Sequence, residues 1–385
     1  MRAKIRNVFI IVIFIFLLHK SQFLVDIRLY KRFINVCKKL IYLYNEEENI
    51  NNSPFFSICI TVYNMENHIE ISLLSVLNQS YRNFEIIIIN DFSQDTSKKI
   101  IQNVQSQNSK IRLFNHEENL GIYKSRIDAI RNAKGNYIIF LDSDDLFSNP
   151  NLLKELYKFN LPYNNDMIEF TTLIQEENHI LYYSFDHRIN HFHNFEAEIV
   201  FQPYLSNILF FEYNNYSDVF CRCLWNKMVR KDIYIKTINF LGNKAYEKKH
   251  FDLAEDTIIN ILNFEFASNY SNINLIGYIY NIRKESISHI NEGKGNNLKI
   301  AHCMLYFYKL FFRYIKYFNK DLNYLYFDLR AFDYYLKYIK QYSSHSFEKE
   351  PVINFYKMIL KEKKISSDFK IYIKRFISDF IEEPT

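Results

Sequence analysis

The residues with the clearest potential for chemistry form an acidic tetrad, Asp142-Ser143-Asp144-Asp145, directly after the apolar run of residues 136–141. Carboxylates this close together are too costly to bury without partners. A hard divalent cation such as Mg²⁺ or Mn²⁺ relieves their repulsion, because such ions prefer oxygen ligands. A capped turn exposed to water would have the same residues. The tetrad alone therefore leaves a metal site and a surface turn both open.

Other polar residues end apolar runs in the same way: Thr61, Tyr63 and Glu66 at the first run, and Asp91 at the second. From residue 55 onward, short apolar runs alternate with apolar residues at helical spacing, as in strands followed by helices. Strands are predicted at residues 55–63, 84–89, 111–114 and 136–141, with a further apolar stretch at 167–172.

This alternation predicts an α/β fold in which helices flank a mainly parallel sheet. Ligands of such sheets bind beyond the carboxyl ends of the strands, which is where the polar residues lie. The acidic tetrad, Asp91 and the residues around Tyr63 are therefore expected to meet in one site.

The order and spacing of these motifs resemble the inverting family 2 glycosyltransferases, which have a GT-A fold. The matching segments are Ile60-Thr61-Val62-Tyr63-Asn64 with Glu66, Ser75-Val76-Leu77-Asn78-Gln79-Ser80-Tyr81, Phe84-Glu85-Ile86, Asn90-Asp91, Glu118-Asn119-Leu120-Gly121, Arg126, Ala133-Lys134-Gly135, the acidic tetrad, Leu224-Trp225-Asn226-Lys227 and Ala254-Glu255-Asp256. Aspartyl-phosphate phosphatases also carry Asp-x-Asp after a strand, but they give no account of residues 61–81. The resemblance implies metal-dependent transfer of a sugar from a nucleotide-diphosphate sugar to a hydroxyl acceptor, with inversion.

By this resemblance, Thr61, Tyr63, Glu66 and Asp91 are expected to hold the nucleoside of the donor. Asp91 suits a ring N–H of uracil or guanine, although an aspartate here could also cap the following helix. Arg126 is expected to contact the donor diphosphate or to order the acidic tetrad, since its planar fork suits both. A surface salt bridge is the alternative for Arg126.

The resemblance also implies that Asp144 is a direct ligand of Mn²⁺ or Mg²⁺ and that Asp142 contacts the metal or the donor ribose. The metal is expected to offset charge on the leaving nucleoside diphosphate. Asp256, in a helix predicted at 252–266, matches the family's catalytic base, which takes the acceptor proton. Acidic residues also favour helix N-termini for electrostatic reasons alone. His289 is a further candidate metal ligand, or a histidine that faces solvent.

The sequence departs from the family pattern at four residues. Thr61 replaces a common Pro, Asn90 a frequent Asp, Phe92 a common Gly and Ile127 the usual Asn. None of these removes an expected metal ligand or the base. They leave open a second function, a catalytically inactive, membrane-anchored carbohydrate-binding or scaffold protein on the same fold.

The N-terminus predicts a membrane anchor. Residues 8–18 form an uncharged apolar core flanked by basic residues, although a full span needs roughly 20 residues. No small-x-small cleavage site follows, so an uncleaved single-pass anchor is favoured over a signal peptide. The expected location is the Golgi or ER in a eukaryote and the cytoplasmic face of the inner membrane in a bacterium. The predicted domains are an anchor at 1–25, a stem or linker at 26–54, a GT-A domain at 55–290 and a helical extension at 291–385.

Composition narrows the expected partners. The net charge of +5 is spread along the 385 residues, which gives no indication of nucleic-acid binding. The five cysteines include no CxxC pair, so buried thiols are expected instead of a disulfide framework or a zinc site. The expected partners are a nucleotide-sugar donor, a glycan, lipid or glycoprotein acceptor, and a membrane.

Overall fold

The computed structural model describes residues 55–176, 179–181, 198–201, 223–242, 255–283, 305, 309–310, 312–318, 349–363 and 365–382. The predicted anchor, the linker and His289 lie outside these residues. Contacts divide the chain into two compact units, Met1–Asn52 with Tyr157–Asn164, and Ser53–Leu156 with Asn165–Thr385. In the first unit, the described residues end a helix and form a turn in which the Tyr163 N–H donates to the carbonyl of Asn160 (3.1 Å). The sheet and the candidate site belong to the second unit.

Ten strands in the described residues form one sheet. They are β1 (Phe56–Val62), β2 (Phe84–Asn90), β3 (Ile111–Asn115), β4 (Tyr137–Phe140), β5 (Leu146–Phe147), β6 (Met167–Glu176), β7 (His179–Leu181), β8 (Glu198–Phe201), β9 (Lys227–Arg230) and β10 (Asn269–Ile282). Their order is β3-β2-β1-β4-β9-β6-β10-β5, with β7 beside β6 and β8 beside β10.

The helices alternate with the first strands, as the sequence pattern predicts. They are α1 (Ile69–Leu77), α2 (Ser97–Ser106), α3 (Ile122–Asn132), α4 (Leu152–Asn160), α5 (Lys231–Leu241), α6 (Glu255–Phe266), α7 (Lys349–Leu360) and α8 (Ser367–Glu382). All residues of β2 are buried. Helices cover both faces of the sheet here, which explains the nearly continuous apolar run in this strand. Ile127 and Ile130 of α3 are among the residues that cover the sheet.

The prediction of a mainly parallel sheet is wrong beyond β4. β1 pairs in parallel with β2 and β4, and β2 pairs in parallel with β3. The four-residue strand β9 then lies antiparallel to both β4 and β6, while β10 is parallel to β6 and antiparallel to β5 and β8. The sheet is therefore mixed. Since β9 is antiparallel to both β4 and β6, strands β4, β6 and β10 all run the same way, and β4 and β10 end at the same edge.

The described part of the C-terminal extension is helical and packs against α5 and α6. Tyr314 Oη donates to a carboxylate oxygen of Glu265 (3.0 Å). The ring of Phe318 contacts those of Phe240 and Phe266, with centroids 5.7 and 5.6 Å apart. Within the described part of the chain, no helix combines the length and apolar character needed to cross a membrane.

Gly135 allows the chain to enter β4 directly beside β1. Its N–H donates to Ser57 Oγ (2.8 Å). A Cβ at this position would lie 2.6 Å from the carbonyl carbon of Phe56 and from the backbone nitrogen of Ser57. Contacts this short with backbone atoms cannot be relieved by rotating a side chain.

Gly135→Ala is therefore expected to lower the free energy of unfolding by about 1–3 kcal/mol, the usual cost of overpacking. Urea denaturation of purified protein measures this change. Lys134→Ala is a control on the neighbouring exposed residue, and its effect should stay within about 0.5 kcal/mol. Equal stability of Gly135→Ala and the wild type would contradict the close packing.

Candidate active site

The polar residues predicted at the strand ends lie along one edge of the sheet. Val62 at the end of β1 pairs with Asn90 at the end of β2, so Tyr63 and Asp91 follow neighbouring strands. Asp142 comes two residues after β4, which is the other neighbour of β1. Thr61 is half-buried within β1.

The loops after β1 and β2 are joined by hydrogen bonds. The N–H of Asn64 donates to Ser93 Oγ (3.1 Å), and the N–H of Gln94 donates to Asn64 Oδ1 (2.8 Å). Glu66 Oε2 accepts hydrogen bonds from the N–H (2.9 Å) and hydroxyl (2.7 Å) of Thr96. Glu66 thus stabilises the second loop, and its contact with a nucleoside stays a prediction.

Asp91 orders the loop before α3. Its Oδ1 accepts from the N–H of Leu120 and its Oδ2 from the N–H of Gly121, both at 2.8 Å. Capping of the following helix, the alternative for Asp91, is not seen. Instead, Asp95 accepts from the N–H of Ser97 (3.0 Å), where α2 begins.

His116 connects Asp91 to α3. Its Nδ1 lies 2.7 Å from Asp91 Oδ1, and its Nε2 lies 3.3 Å from Asp128 Oδ2. Hydrogen bonds with Asp128 and Asp91 raise the pKa of His116 to about 9, so the imidazolium donates to both carboxylates at neutral pH. Sequence analysis missed this residue because its partners are brought together only by the fold.

Arg126 lies at the centre of the site, with only 2% of its surface exposed. Its Nη2 donates to Asp142 Oδ1 (3.2 Å), and its Nη1 donates to Glu255 Oε1 (2.6 Å) and to Asp256 Oδ1. Arg126 therefore bridges the acidic tetrad and the start of α6, which excludes the surface salt bridge. A contact with the donor diphosphate stays a prediction.

The two carboxylates at the start of α6 differ in environment. Burial and repulsion from Asp256 raise the pKa of Glu255 well above its usual value. Burial also acts to raise the pKa of Asp256, but the Arg126 guanidinium and hydrogen bonds lower it below the usual value. The Asp256 side chain is 23% exposed and that of Glu255 is 7% exposed. Asp256 is therefore the ionised carboxylate that a second molecule can reach.

Arg283 and Tyr278 contact the acidic tetrad from β10 and its end, and sequence analysis assigned no role to either. Arg283 Nε donates to Asp144 Oδ2 (2.8 Å). Tyr278 Oη donates to Asp145 Oδ2 (2.7 Å) and accepts from the N–H of Asp142 (3.1 Å). Asp145 is thus engaged within the protein. Arg283 directly follows an apolar strand, and a polar residue in that position is a sequence signal for a functional site. Its partner, Asp144, is more than a hundred residues away in the chain.

The matched segment around Trp225 supports Tyr278. The Trp225 ring stacks on Tyr278 and Tyr280, with centroids 4.7 and 5.5 Å apart. Lys227 is fully buried, lies 3.4 Å from Glu169 and donates to the carbonyl of Cys223 (2.8 Å). These residues hold β10 in place beneath the tetrad.

Among the described residues, the carboxylates at this edge outnumber the cations that contact them. The carboxylates are Asp142, Asp144, Asp145, Glu255 and Asp256, and the guanidinium groups are those of Arg126 and Arg283. Burial, with repulsion from Asp144 and Asp256, raises the pKa of Asp142 to about 6 despite the attraction of Arg126. A further cation would relieve this repulsion.

Asp142 and Asp144 are suited to hold such a cation. Each is partly exposed, and each keeps one carboxylate oxygen without a hydrogen bond to the described residues. Mg²⁺ is commonly bound by one or two carboxylates together with substrate phosphates. Among the described residues, no group of three or more His, Cys, Asp or Glu could hold a metal ion.

The architecture defines the class of protein. A mixed α/β sheet flanked by helices, with an acidic tetrad beyond β4 and an acidic helix start beside it, corresponds to the GT-A fold. Residues 57–236 match the family described as glycosyl transferase family 2. These residues thus form a family 2 glycosyltransferase domain, and the resemblance seen in the sequence is confirmed.

Relatives named as glycosyltransferases share part of the chain. An uncharacterized glycosyltransferase of Haemophilus influenzae is 43% identical over 105 residues, which are 27% of this chain and 42% of that protein. Glycosyltransferase GlyA of Streptococcus pneumoniae is 27% identical over 243 residues, which are 61% of this chain and 31% of GlyA. The match thus spans less than half the length of these relatives.

Crystal structures of S. aureus TarS have a similar fold. The complex of TarS 1–349 with UDP-GlcNAc matches with a TM-score of 0.55 at 17% identity, over 84% of this chain and 88% of that chain. At this low identity the similarity supports the fold alone.

Arg126→Met is expected to lower the free energy of unfolding by about 3–5 kcal/mol at neutral pH, because buried carboxylates lose their counter-charge. The loss should be smaller at pH 5, where these carboxylates bind protons more readily. Urea denaturation at pH 7 and pH 5 measures both effects.

Arg131→Met provides the matched control, since Arg131 lies on the same helix and is exposed. Its effect should stay within about 0.5 kcal/mol. Similar losses for the two variants would contradict the central role of the buried guanidinium.

Proposed function

We propose that the protein transfers a sugar from a nucleotide-diphosphate donor to a hydroxyl acceptor, with a divalent cation and with inversion at the anomeric carbon. The observation that carries the proposal is the contact of one buried guanidinium, that of Arg126, with both Asp142 and Asp256. It brings the expected donor-binding carboxylate and the expected base into one cluster. The family 2 domain at residues 57–236 supports this assignment.

A uridine nucleotide is the first donor to test. TarS, which has a similar fold, was crystallised with UDP-GlcNAc and with UDP. In this chain, Tyr63 is exposed beside Asp91 at the end of two neighbouring strands. We therefore place the nucleoside against the loops after β1 and β2.

Asp142 and Asp144 would hold Mn²⁺ or Mg²⁺ together with the donor phosphates. Bound there, the ion supplies Lewis-acid stabilisation of the charge that develops on the leaving nucleoside diphosphate. Arg283 now donates to Asp144, so it lies close enough to the expected phosphates to add a second positive charge.

Asp256 is the proposed base. It takes the proton of the acceptor hydroxyl while the acceptor oxygen bonds to the anomeric carbon and the bond from that carbon to the phosphate oxygen breaks. Asp256 suits this role because Arg126 keeps it ionised and because its side chain is partly exposed, whereas Glu255 is buried and its pKa is raised. A single in-line displacement inverts the anomeric carbon.

The alternative of an inactive scaffold rests on the departures at Asn90 and Ile127. Asn90 Nδ2 donates to Asn115 Oδ1 (3.0 Å), and Ile127 is buried in the core. Asn90 and Ile127 thus contribute to the packing of the domain, and neither contacts the acidic cluster in the described structure. We also propose that residues 1–25 attach the enzyme to a membrane, on the strength of their sequence alone.

Asp144→Ala is expected to abolish Mn²⁺-dependent binding of UDP while the protein stays folded. The reason is that the variant removes a proposed metal ligand from a partly exposed position. Calorimetric titration with UDP, in Mn²⁺ and then in EDTA, measures the change. Asp368→Ala, on an exposed residue of α8, should bind UDP as the wild type does. Unchanged affinity in folded Asp144→Ala would exclude Asp144 from the site.

Asp256→Asn is expected to keep the affinity for UDP and Mn²⁺ but to lower sugar transfer roughly 10²-fold or more, the usual contribution of a placed base. Transfer to water serves as the assay until the acceptor is identified. Early NMR spectra should show a product with the anomeric configuration opposite to that of the donor. Asp232→Asn, on the surface of α5, is the control. Near-normal turnover of Asp256→Asn, or a retained configuration, would contradict the proposed base.

A further inference from the structure

Phe92 has a backbone conformation that is unfavourable for its residue type. Its φ is +61°, in the left-handed region, where a Cβ lies too close to the following carbonyl oxygen. The other non-glycine residues with positive φ in the described chain are Asn64 and Asn164. Asparagine visits this region routinely, whereas phenylalanine does not.

Hydrogen bonds on both sides of Phe92 maintain this conformation. The N–H of Asp91 donates to the carbonyl of Val62 (2.8 Å), and the N–H of Ser93 donates to Asn90 Oδ1 (3.3 Å). The carbonyl of Phe92 itself accepts from Gln94 Nε2 (3.0 Å). The turn therefore fixes the backbone whichever side chain is present.

Burial of the ring does not offset this strain. Phe92 is 43% exposed, and Tyr63, which follows the neighbouring strand, is 44% exposed. The strand register brings the two loops that carry these exposed aromatic residues together, with Tyr63 directly after β1 and Phe92 directly after Asp91. A strained residue that is also exposed and apolar lowers stability without a packing benefit, and such residues concentrate at functional sites.

We propose that Phe92 is a donor-binding residue that packs its ring on the nucleobase of the donor, in the same pair of loops as Tyr63 and Asp91. This inference rests on the proposed function. An aromatic face binds any planar base by stacking, and removal of such a contact typically weakens binding roughly 5- to 100-fold. A glycine would adopt the same left-handed backbone without strain, but it has no ring and could not make this contact.

Phe92→Gly distinguishes a role in binding from a role in folding, because stability and affinity for UDP should change in opposite directions. The variant relieves the left-handed strain, so its urea midpoint should rise, while its affinity for UDP in Mn²⁺ should fall roughly 5- to 100-fold. Inorganic pyrophosphate has no base, so its affinity should not change. Calorimetric titrations with UDP and with pyrophosphate measure both affinities.

Further variants test the ring itself. Phe92→Leu keeps the strain and most of the apolar surface, so it should retain the wild-type stability and lose affinity for UDP. Phe92→Trp should retain affinity for UDP. Tyr317→Leu, on an exposed aromatic residue of the extension, should leave UDP binding unchanged.

Two results would overturn the inference in distinguishable ways. Wild-type affinity for UDP in both Phe92→Gly and Phe92→Leu would overturn the stacking role and leave the proposed function standing. If the wild type binds none of UDP, GDP, ADP and CDP in Mn²⁺, the proposed function fails and the inference fails with it.

Discussion

The burial of the Arg126 guanidinium constrains the rest of the site. A charged group with 2% exposure requires counter-charges at hydrogen-bond distance, because an unpaired buried ion is strongly destabilising. Those counter-charges come from two separate places, the tetrad after β4 and the start of α6. The position of α6 relative to the sheet is therefore determined by electrostatics as well as by apolar packing. At Asp256 the Arg126 guanidinium outweighs burial and lowers the pKa, whereas burial and repulsion from Asp256 raise the pKa of Glu255, so the two adjacent carboxylates differ in proton affinity.

The C-terminal part of the sheet supplies the residues that contact Asp144 and Asp145. Strand β10 runs in the same direction as β4 and ends at the same edge of the sheet. Tyr278 and Asn281 of β10 donate hydrogen bonds to the two carboxylate oxygens of Asp145. Arg283 donates to one carboxylate oxygen of Asp144. The stacked Trp225 and Tyr278 explain why the segment around Trp225 recurs in the resemblance.

The sequence predicted those features that depend on local pattern. The strands and helices from residue 55 to residue 141 follow from apolar periodicity, and the expected meeting of the motifs at strand ends follows from parallel pairing. The reversal at β9 could not be predicted, because a four-residue strand carries too little pattern to indicate its direction. Arg283 and His116 were missed for a related reason. Each is defined by partners distant in the chain, and only the folded sheet shows which carboxylates they approach.

The C-terminal extension has a consequence that follows from its contacts with α6. This helix begins at Glu255 and Asp256 and ends at Phe266, where Phe318 packs against it. Tyr314 also donates to Glu265 in the last turn. One rigid rod therefore has its first turn in the acidic cluster and its last turn against the extension. Removing Tyr314 and Phe318 would expose the apolar end of α6, so these residues stabilise the helix that carries the proposed base.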